Sequence, residues 1–409
     1  MLSAGKDVFF FSLVLACTAW ALQPLSGKSV IIVQNKGGGH GTVGYGLCQQ
    51  LKKLHPDLAI TLLQETCNRK NQPFASYGEL ESLGVKIVEG NVPEVASSLA
   101  SSGKFDYVVD NWSKKADNAA HVIDLAKSCG AQQLLFVSSG GMYKGGGVMP
   151  CTESSDIKTN DARSIELAVE ASKLPFTFVR PQYIYGPKSN KRYLDFFLGR
   201  VHRKVPVPLP LHGEQLLSLT HIDDACQLIA RAVGNPSALN QVFNCGTDRY
   251  ITYSGLCNAL HDIYATPNEE RSFLYYEPKD FDKWDGNSLQ EFPFRRETFI
   301  VSPSKAKHVL GFAPKHSLLK DLVEEVEEYR SCEFPPRFGI PCQRTHTHPS
   351  YSISPPFLLS SNSLSRFFAV AVFGADKWGV EELRYDLEII ASLDHLFSLD
   401  YSFGPTYQT

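Results

Sequence analysis

Hydrophobic positions in the first half of the chain fall into short continuous runs rather than alternating ones. The first is Ser29–Gln34 (SVIIVQ), followed by a glycine-rich stretch and then a window from Val43 to Leu54 in which apolar residues recur with the period of a helix. The same succession returns at 58–63, 85–88, 107–110, 134–138 and 176–180, with helical windows between most of them. Uninterrupted apolar strands are buried on both faces, and strands that alternate with helices build a parallel, doubly wound sheet. The pattern therefore predicts an α/β fold with its main domain over 28–187. After Pro181 the rhythm loosens. A Pro-rich, basic stretch (188–210), a helix opened by Asp223-Asp224, a strand at Gln241–Cys245 and helices near 253–264 and 318–330 predict a smaller C-terminal α/β lobe over 188–333, part of which returns to the main sheet. Residues 334–409 are dense in Pro and Ser and read as a poorly ordered tail. Within it, Leu383, Leu387, Ile390 and Leu393 would line one face of a helix over 380–396.

Composition changes this picture little. Lys and Arg number 40 against 43 Asp and Glu, so a nucleic-acid partner would have to be held by a local basic patch rather than by the overall field. The apolar run from Val8 to Ala19 follows Lys6 and ends in Ala19-Trp20-Ala21, which reads as a signal-type targeting segment over 1–21. A bilayer span needs about 20 apolar residues; this run is shorter and no other run is long enough, so a soluble mature chain without a membrane span is expected. The ten cysteines include no C-x-x-C pair and no zinc-ligand spacing, and several, such as Cys48 and Cys245, lie in apolar stretches. They read as buried free thiols in a reducing compartment. The sequon at Asn111 falls at the end of a buried strand and is discounted as a glycosylation site.

Candidate chemistry begins directly after the first strand. Gly38, Gly41 and Gly44 have G-x-x-G-x-x-G spacing at a strand-to-helix turn, where glycines let backbone N–H groups approach a pyrophosphate at the helix N-terminus. Glu65, just past the second strand, is the candidate acid for a ribose, and His40 in the loop could face a phosphate. Asp110 and Asn111, at the carboxyl end of the fourth strand, are candidate catalytic residues for metal-assisted phosphodiester cleavage, with helix capping by Asp110 as the competing reading. His221, Asp223 and Asp224 form a second polar cluster, read as a helix N-terminus where acids favour the macrodipole.

Two further blocks, Phe136-Val-Ser-Ser-Gly-Gly-Met-Tyr-Lys144 and Leu174-Pro-Phe-Thr-Phe-Val-Arg-Pro-Gln-Tyr-Ile-Tyr-Gly-Pro187, resemble those of the extended short-chain dehydrogenases, the nucleotide-sugar epimerase and dehydratase superfamily, from about residue 28 to 329. The resemblance implies a Rossmann-type domain, an NAD(P) site that includes Ser138, Ser139 and Tyr143, and proton transfer by a Tyr-x-x-x-Lys pair on the helix between the blocks. That helix reads Lys158-Thr-Asn-Asp-Ala-Arg-Ser-Ile-Glu166 and holds no tyrosine. Tyr275 and Lys279 have the spacing but carry Pro278 and lie about 100 residues too late to sit beside a nicotinamide in this fold. The run Phe105-Asp-Tyr-Val-Val-Asp-Asn111 with Lys114, the Ser138–Lys144 block, Phe178–Tyr183, Val242–Cys245 with Asp248-Arg249, and Phe292-Pro-Phe-Arg295 are similar to the chloroplast stem-loop binding proteins, atypical dehydrogenase relatives that also lack the pair. This resemblance implies binding of plastid RNA, a divalent-metal-dependent endoribonuclease activity served by Mg²⁺, association with ribosomes or the transcription apparatus, oligomers with itself or other chains, and a plastid location.

One feature of the residues themselves favours RNA. Lys188, Lys191, Arg192, Arg200, Arg203 and Lys204 stand against the single acid Asp195, interleaved with Tyr193, Phe196 and Phe197 and preceded by Tyr183 and Tyr185. Cations of this kind hold phosphates and exposed aromatics stack on unpaired bases; alternatively, the aromatics are core residues of an amphipathic helix. Three readings stay open: plastid RNA binding with metal-assisted cleavage, an NAD(P)-dependent nucleotide-sugar epimerase or dehydratase with a replaced Tyr/Lys pair, and a structural subunit of a plastid complex.

Overall fold

A computed structural model describes residues 24–34, 41–65, 69, 72–189, 192–281 and 292–331. The expected targeting segment, most of the phosphate loop and the whole tail, including 380–396, lie outside these residues.

Seven strands form one parallel sheet: β1 (Ser29–Gln34), β2 (Ala59–Gln64), β3 (Lys86–Glu89), β4 (Tyr107–Asn111), β5 (Gln133–Val137), β6 (Phe176–Pro181) and a later strand, Gln241–Cys245. Their order is β3-β2-β1-β4-β5-β6, closed at the far edge by Gln241–Cys245, with every neighbouring pair parallel. The order reverses between β1 and β4, and in open α/β sheets ligands bind outside the carboxyl ends of the strands at that point.

Helices cover both faces. On one side α1 (Gly41–Leu54) and α2 (Tyr77–Ser82) precede α3 (Val92–Ser102), α4 (Ala116–Cys129) and α5 (Asp161–Ala171), which cover the other. The interior strands carry almost only buried side chains, Val30, Ile32, Leu62 and Val109 toward α1, and Ile31, Leu63, Val108 and Phe178 toward the α3–α5 layer. At about 25 cal/mol per Å² this double burial is what makes the apolar runs read as strands.

The remaining elements are α6 (Asp195–Arg203), β7 (Ile184–Tyr185), β8 (Val207–Pro210), β9 (Leu216–Leu217), β10 (Thr220–His221), α7 (Ile222–Ala232), β11 (Gln241–Cys245, the edge strand above), β12 (Ile251–Thr252), α8 (Tyr253–Ile263), β13 (Phe273–Tyr276), α9 (Ser304–Leu310) and α10 (Leu318–Ser331). Three of them return to the main body: β11 extends the sheet, α7 packs on α1 and α9 packs on β11. The lobe proper has its own core, in which Phe196, Phe197 and Val201 of α6 meet Leu256 and Leu260 of α8, Leu322 and Val326 of α10, and Phe292 and Phe294. The six described cysteines, Cys48, Cys129, Cys151, Cys226, Cys245 and Cys257, are buried and free, as expected, and Asn111 is buried in β4. Among the described residues no helix is long and apolar enough to cross a membrane.

Candidate functional site

At the carboxyl edge of the sheet α1 packs on β1 as closely as Gly44 predicts. Gly44 lies against β1 so tightly that a Cβ there would overlap the Gln34 side-chain amide. Gln34 is itself buried, and its Oε1 accepts from Asn111 Nδ2 at 2.6 Å. Gly41 opens α1, whereas Gly38 and His40 lie outside the described residues. Next along the rim, Gln64 accepts from Tyr77 Oη at 2.8 Å and donates to the Glu65 carbonyl at 2.9 Å, which sets the half-buried Glu65 one residue past the end of β2. Glu65 thus stands directly after β2, the position expected from the sequence.

Asp110 is only 1% exposed and is held by its own chain, its Oδ1 accepting from the Trp112 amide at 2.9 Å and the Ser113 amide at 2.9 Å. Burial pushes its carboxyl above the usual range. The two amide bonds form a local turn and not the expected helix cap, since α4 begins at Ala116 with Lys115 at its N-cap; Asn111 is engaged with Gln34, so neither presents free ligand atoms together with a second carboxylate. Among the described residues, the one group of His, Cys, Asp or Glu side chains close enough to share an ion is His221, Asp223 and His316, on a different part of the rim. Among the described residues, those around Asp110 therefore do not fit a Mg²⁺ site.

Beyond β5 a buried polar chain links α5, β6 and the later strand Gln241–Cys245. Helix α5 starts at Asn160, whose side chain accepts from the Arg163 amide at 2.9 Å, and its inward face presents Ile165, Glu166 and Val169 to the sheet. Glu166 is fully buried: it accepts from Ser138 Oγ at 2.7 Å, from Arg180 Nε at 2.9 Å and Nη2 at 2.7 Å, and from Arg163 Nη1 at 2.9 Å. Arg180 in turn donates through Nη1 to Tyr143 Oη at 3.0 Å, and Tyr143 donates to Asn244 Oδ1 of β11 at 2.6 Å. Asn244 also donates to the Cys151 carbonyl at 3.1 Å. Burial pushes the Tyr143 phenol up to about 12 despite the adjacent guanidinium, while the Glu166 carboxylate holds Arg180 firmly protonated. A phenol in this state is a poor proton acceptor near neutral pH. Ser139 is also engaged locally, its Oγ accepting from the Gly141 amide at 3.0 Å.

The rest of the RPQYIYG block ties sheet to lobe. Gln182 donates to the Phe299 carbonyl and accepts from the Val301 amide, Tyr183 accepts from the Arg295 amide at 3.0 Å, and Tyr185 donates to Asp321 at 2.5 Å. Arg295 reaches back to the carbonyls of Gly141 at 2.7 Å and Tyr143 at 2.8 Å. Tyr275 is exposed on the lobe strand β13, consistent with its exclusion from a catalytic pair. Glu166, Arg180 and Asn244 were not singled out from the sequence as site residues. For Arg180 the available signal was a single charge in an otherwise apolar, buried strand; Glu166 is one of four charged residues on a half-exposed helix and carried no such signal.

The basic stretch divides. Lys188 donates to Tyr45 Oη at 3.0 Å and lies 3.5 Å from Glu79, and Lys191 is outside the described residues. Arg192 corrects the expectation of an open patch: its guanidinium is largely buried, bonded to Asp195 at 2.9 Å and Glu328 at 3.0 Å. Phe196 and Phe197 are core, Tyr193 packs on Tyr183 and Phe294, and Tyr185 is buried, so the core reading of the aromatics holds. The reason is that only Asp195–Arg203 is helical, and its apolar face closes the lobe. Arg200 lies over the Phe196 ring, 4.0 Å from its centroid. Arg203 and Lys204 are exposed at the helix C-terminus, Lys204 paired with Glu270 at 2.8 Å across the surface.

The comparisons agree with this geometry. Over 258 residues the chain is 31% identical to chloroplast stem-loop binding protein of 41 kDa b from Arabidopsis thaliana, a match covering 62% of this chain and 66%, just under two thirds, of that relative. This bears out the resemblance read from the motifs. UDP-glucose 4-epimerase from Vibrio cholerae is 22% identical over 325 residues, 74% of this chain and 95% of its own length. Among solved structures, the NAD complex of UDP-glucuronic acid 4-epimerase from Bacillus cereus superposes with a TM-score of 0.56 at 16% identity, covering 73% of this chain and 99% of its own. The dTDP-glucose 4,6-dehydratase DesIV from Streptomyces venezuelae, with NAD and TYD bound, gives 0.56 at 18% identity over 74% and 97%. At such identities the likeness is one of fold. Residues 37–246 match the model of the NAD dependent epimerase/dehydratase family, slightly more than half of the sequence, and the chain belongs to that family.

Proposed function

We propose that this chain is a plastid RNA-binding protein that uses a dinucleotide-binding fold as a scaffold, without the hydride and proton transfer of its sugar-nucleotide relatives. The observation that carries the reading is the buried Ser138–Glu166–Arg180–Tyr143–Asn244 chain: a catalytic helix that should supply a lysine and a tyrosine supplies a carboxylate locked to an arginine. The stem-loop binding named in the Arabidopsis relative supports RNA as the ligand and the chloroplast as its place. Arg203 and Lys204, with Arg200 and Lys191, are the cations best suited to hold phosphates, since Arg192 is engaged inside the lobe. The metal-dependent cleavage implied by the same resemblance has weaker support, because Asp110 is bound up in its turn.

A second reading is favoured by the other half of the crevice. Gly41, Gly44 and Glu65 fit the pyrophosphate and adenosine of NAD(P) and would hold it; the bound nicotinamide would supply a hydride acceptor. The test that separates the readings is a filter-binding titration of the full chain with a labelled plastid stem-loop RNA at two salt concentrations, with and without Mg²⁺. We expect binding that weakens steeply with salt. No binding at low salt, together with NAD(P)-dependent conversion of a nucleotide sugar, would overturn the first reading in favour of the second. RNA fragments formed only with Mg²⁺ would add the nuclease activity.

A further inference from the structure

The cluster at the N-terminus of α7 is outside every role assigned above. His221 precedes the helix and Asp223 is in its first turn, while His316 arrives from the segment that links α9 to α10. The two imidazoles stack with centroids 3.5 Å apart and planes 10° from parallel. One ligand atom from each of His221, Asp223 and His316 lies within 4.8 Å of the other two.

Stacked rings usually exclude a shared charge, since a proton on one repels a proton on the other. Here the surroundings orient His316 as a ligand. Its Nδ1 is 3.3 Å from Asp321 Oδ2 and its Nε2 is 3.7 Å from Asp223 Oδ2. A proton on Nδ1 directed to the Asp321 carboxylate leaves the Nε2 lone pair facing Asp223, and a carboxylate behind a histidine in this way fixes the tautomer of metal-bound imidazoles. Asp321 is itself fixed by the Tyr185 hydroxyl at 2.5 Å, and the backbone of the loop is held by Asp224, which accepts from the Lys315 amide at 2.8 Å and the His316 amide at 3.0 Å. His221 is mostly buried, so its ring is held in place at the start of α7. Binding has a cost: because an imidazole lone pair lies in its ring plane, one of the two stacked rings must turn out of the stack to share an ion, and an ion taken by His221 Nδ1 also displaces its 3.2 Å hydrogen bond from the Asp223 amide.

We propose that His221, Asp223 and His316 bind one divalent transition-metal ion of the zinc class, which pins the α9–α10 segment to the start of α7. Two imidazoles and one carboxylate suit Zn²⁺ or Co²⁺ and not Mg²⁺, which takes oxygen ligands. The site is therefore separate from any Mg²⁺-dependent cleavage and does not rest on it.

The experiment is titration of the chelator-stripped full chain with Zn²⁺ by calorimetry and with Co²⁺ by visible absorption. The expected result is one ion per chain, cobalt bands typical of nitrogen and oxygen ligands without thiolate charge transfer, and at least tenfold weaker binding in both His316→Ala and Asp223→Asn. Asp223 is exposed, so Asp223→Asn interrogates the site without disturbing the core; near-ultraviolet circular dichroism checks that both variants are folded. No ion retained by the parent chain, affinity unchanged in Asp223→Asn, or a thiolate-dominated cobalt spectrum would each overturn the proposal.

Discussion

The two halves of the crevice along the carboxyl edge of the sheet have diverged. At the β1–α1 end helix and strand are in close contact, with Gly44 pressed onto Gln34 and Glu65 set just past β2. Past β5 the surface that should hold reacting groups is closed by an ion pair between Glu166 and Arg180, with Ser138, Tyr143 and Asn244 satisfying the remaining hydrogen bonds. Close packing of α1 on β1 is a need of the fold itself, whereas a Tyr/Lys pair has no such structural duty. The Glu166–Arg180 chain is internally satisfied, and a satisfied buried network is rigid.

This contrast can be broken from its strongest point. Glu166→Gln leaves the Arg180 guanidinium buried without its counter-charge, and we expect a loss of about 3–5 kcal/mol in urea denaturation. An effect below about 1 kcal/mol would mean that the pair is not the centre of that region. Tyr143→Phe removes a donor to Asn244 and an acceptor from Arg180, for about 1–3 kcal/mol on the same measurement. At the other end, Gly44→Val forces a side chain into Gln34 and should cost about 1–3 kcal/mol while abolishing any NAD(P) affinity seen by equilibrium dialysis. If Gly44→Val were neutral, the two ends would not differ in the way described.

A smaller effect concerns the lobe. Burial, with Glu328, Asp195 and Asp321 nearby and only Arg192 opposing, pushes the Glu325 carboxyl up to about 7. The folded chain then holds this proton more tightly than the unfolded one, so the contribution is fully present below the unfolded value and is lost as pH rises towards 7. Glu325→Gln should therefore reduce the fall in stability between about pH 5 and pH 7.5 by about 1–2 kcal/mol. An unchanged pH slope would show that Glu325 is solvated. Smallest of all in stability, Arg203→Glu with Lys204→Glu should stay within about 0.5 kcal/mol of the parent, since both side chains are exposed.

The fold was legible because its strands are buried on both faces, which writes them into the sequence as continuous apolar runs such as SVIIVQ and QLLFV. The glycine turn was legible because its chemistry is local. Glu166 and Arg180 were not, since their pairing depends on which face of α5 meets β6. Within 188–204, Arg192 was misjudged for a related reason: it answers to Glu328, 136 residues away, and no local pattern announces so distant a partner. The His221 cluster was seen as a helix N-terminus, and that reading holds, but His316 joins it from another segment of the fold.

The most direct test of RNA binding on this scaffold compares the RNA affinity of the parent chain with that of the Arg203→Glu, Lys204→Glu double variant by filter binding at about 50 and about 200 mM salt. Four phosphate contacts, from Lys191, Arg200, Arg203 and Lys204, predict that the parent loses about 150-fold in affinity across that range, with the variant weaker at low salt and less sensitive to the change. Equal affinity and an equal salt response in the two proteins would contradict the placement of the RNA, and no binding by either would contradict the assignment of RNA as the ligand.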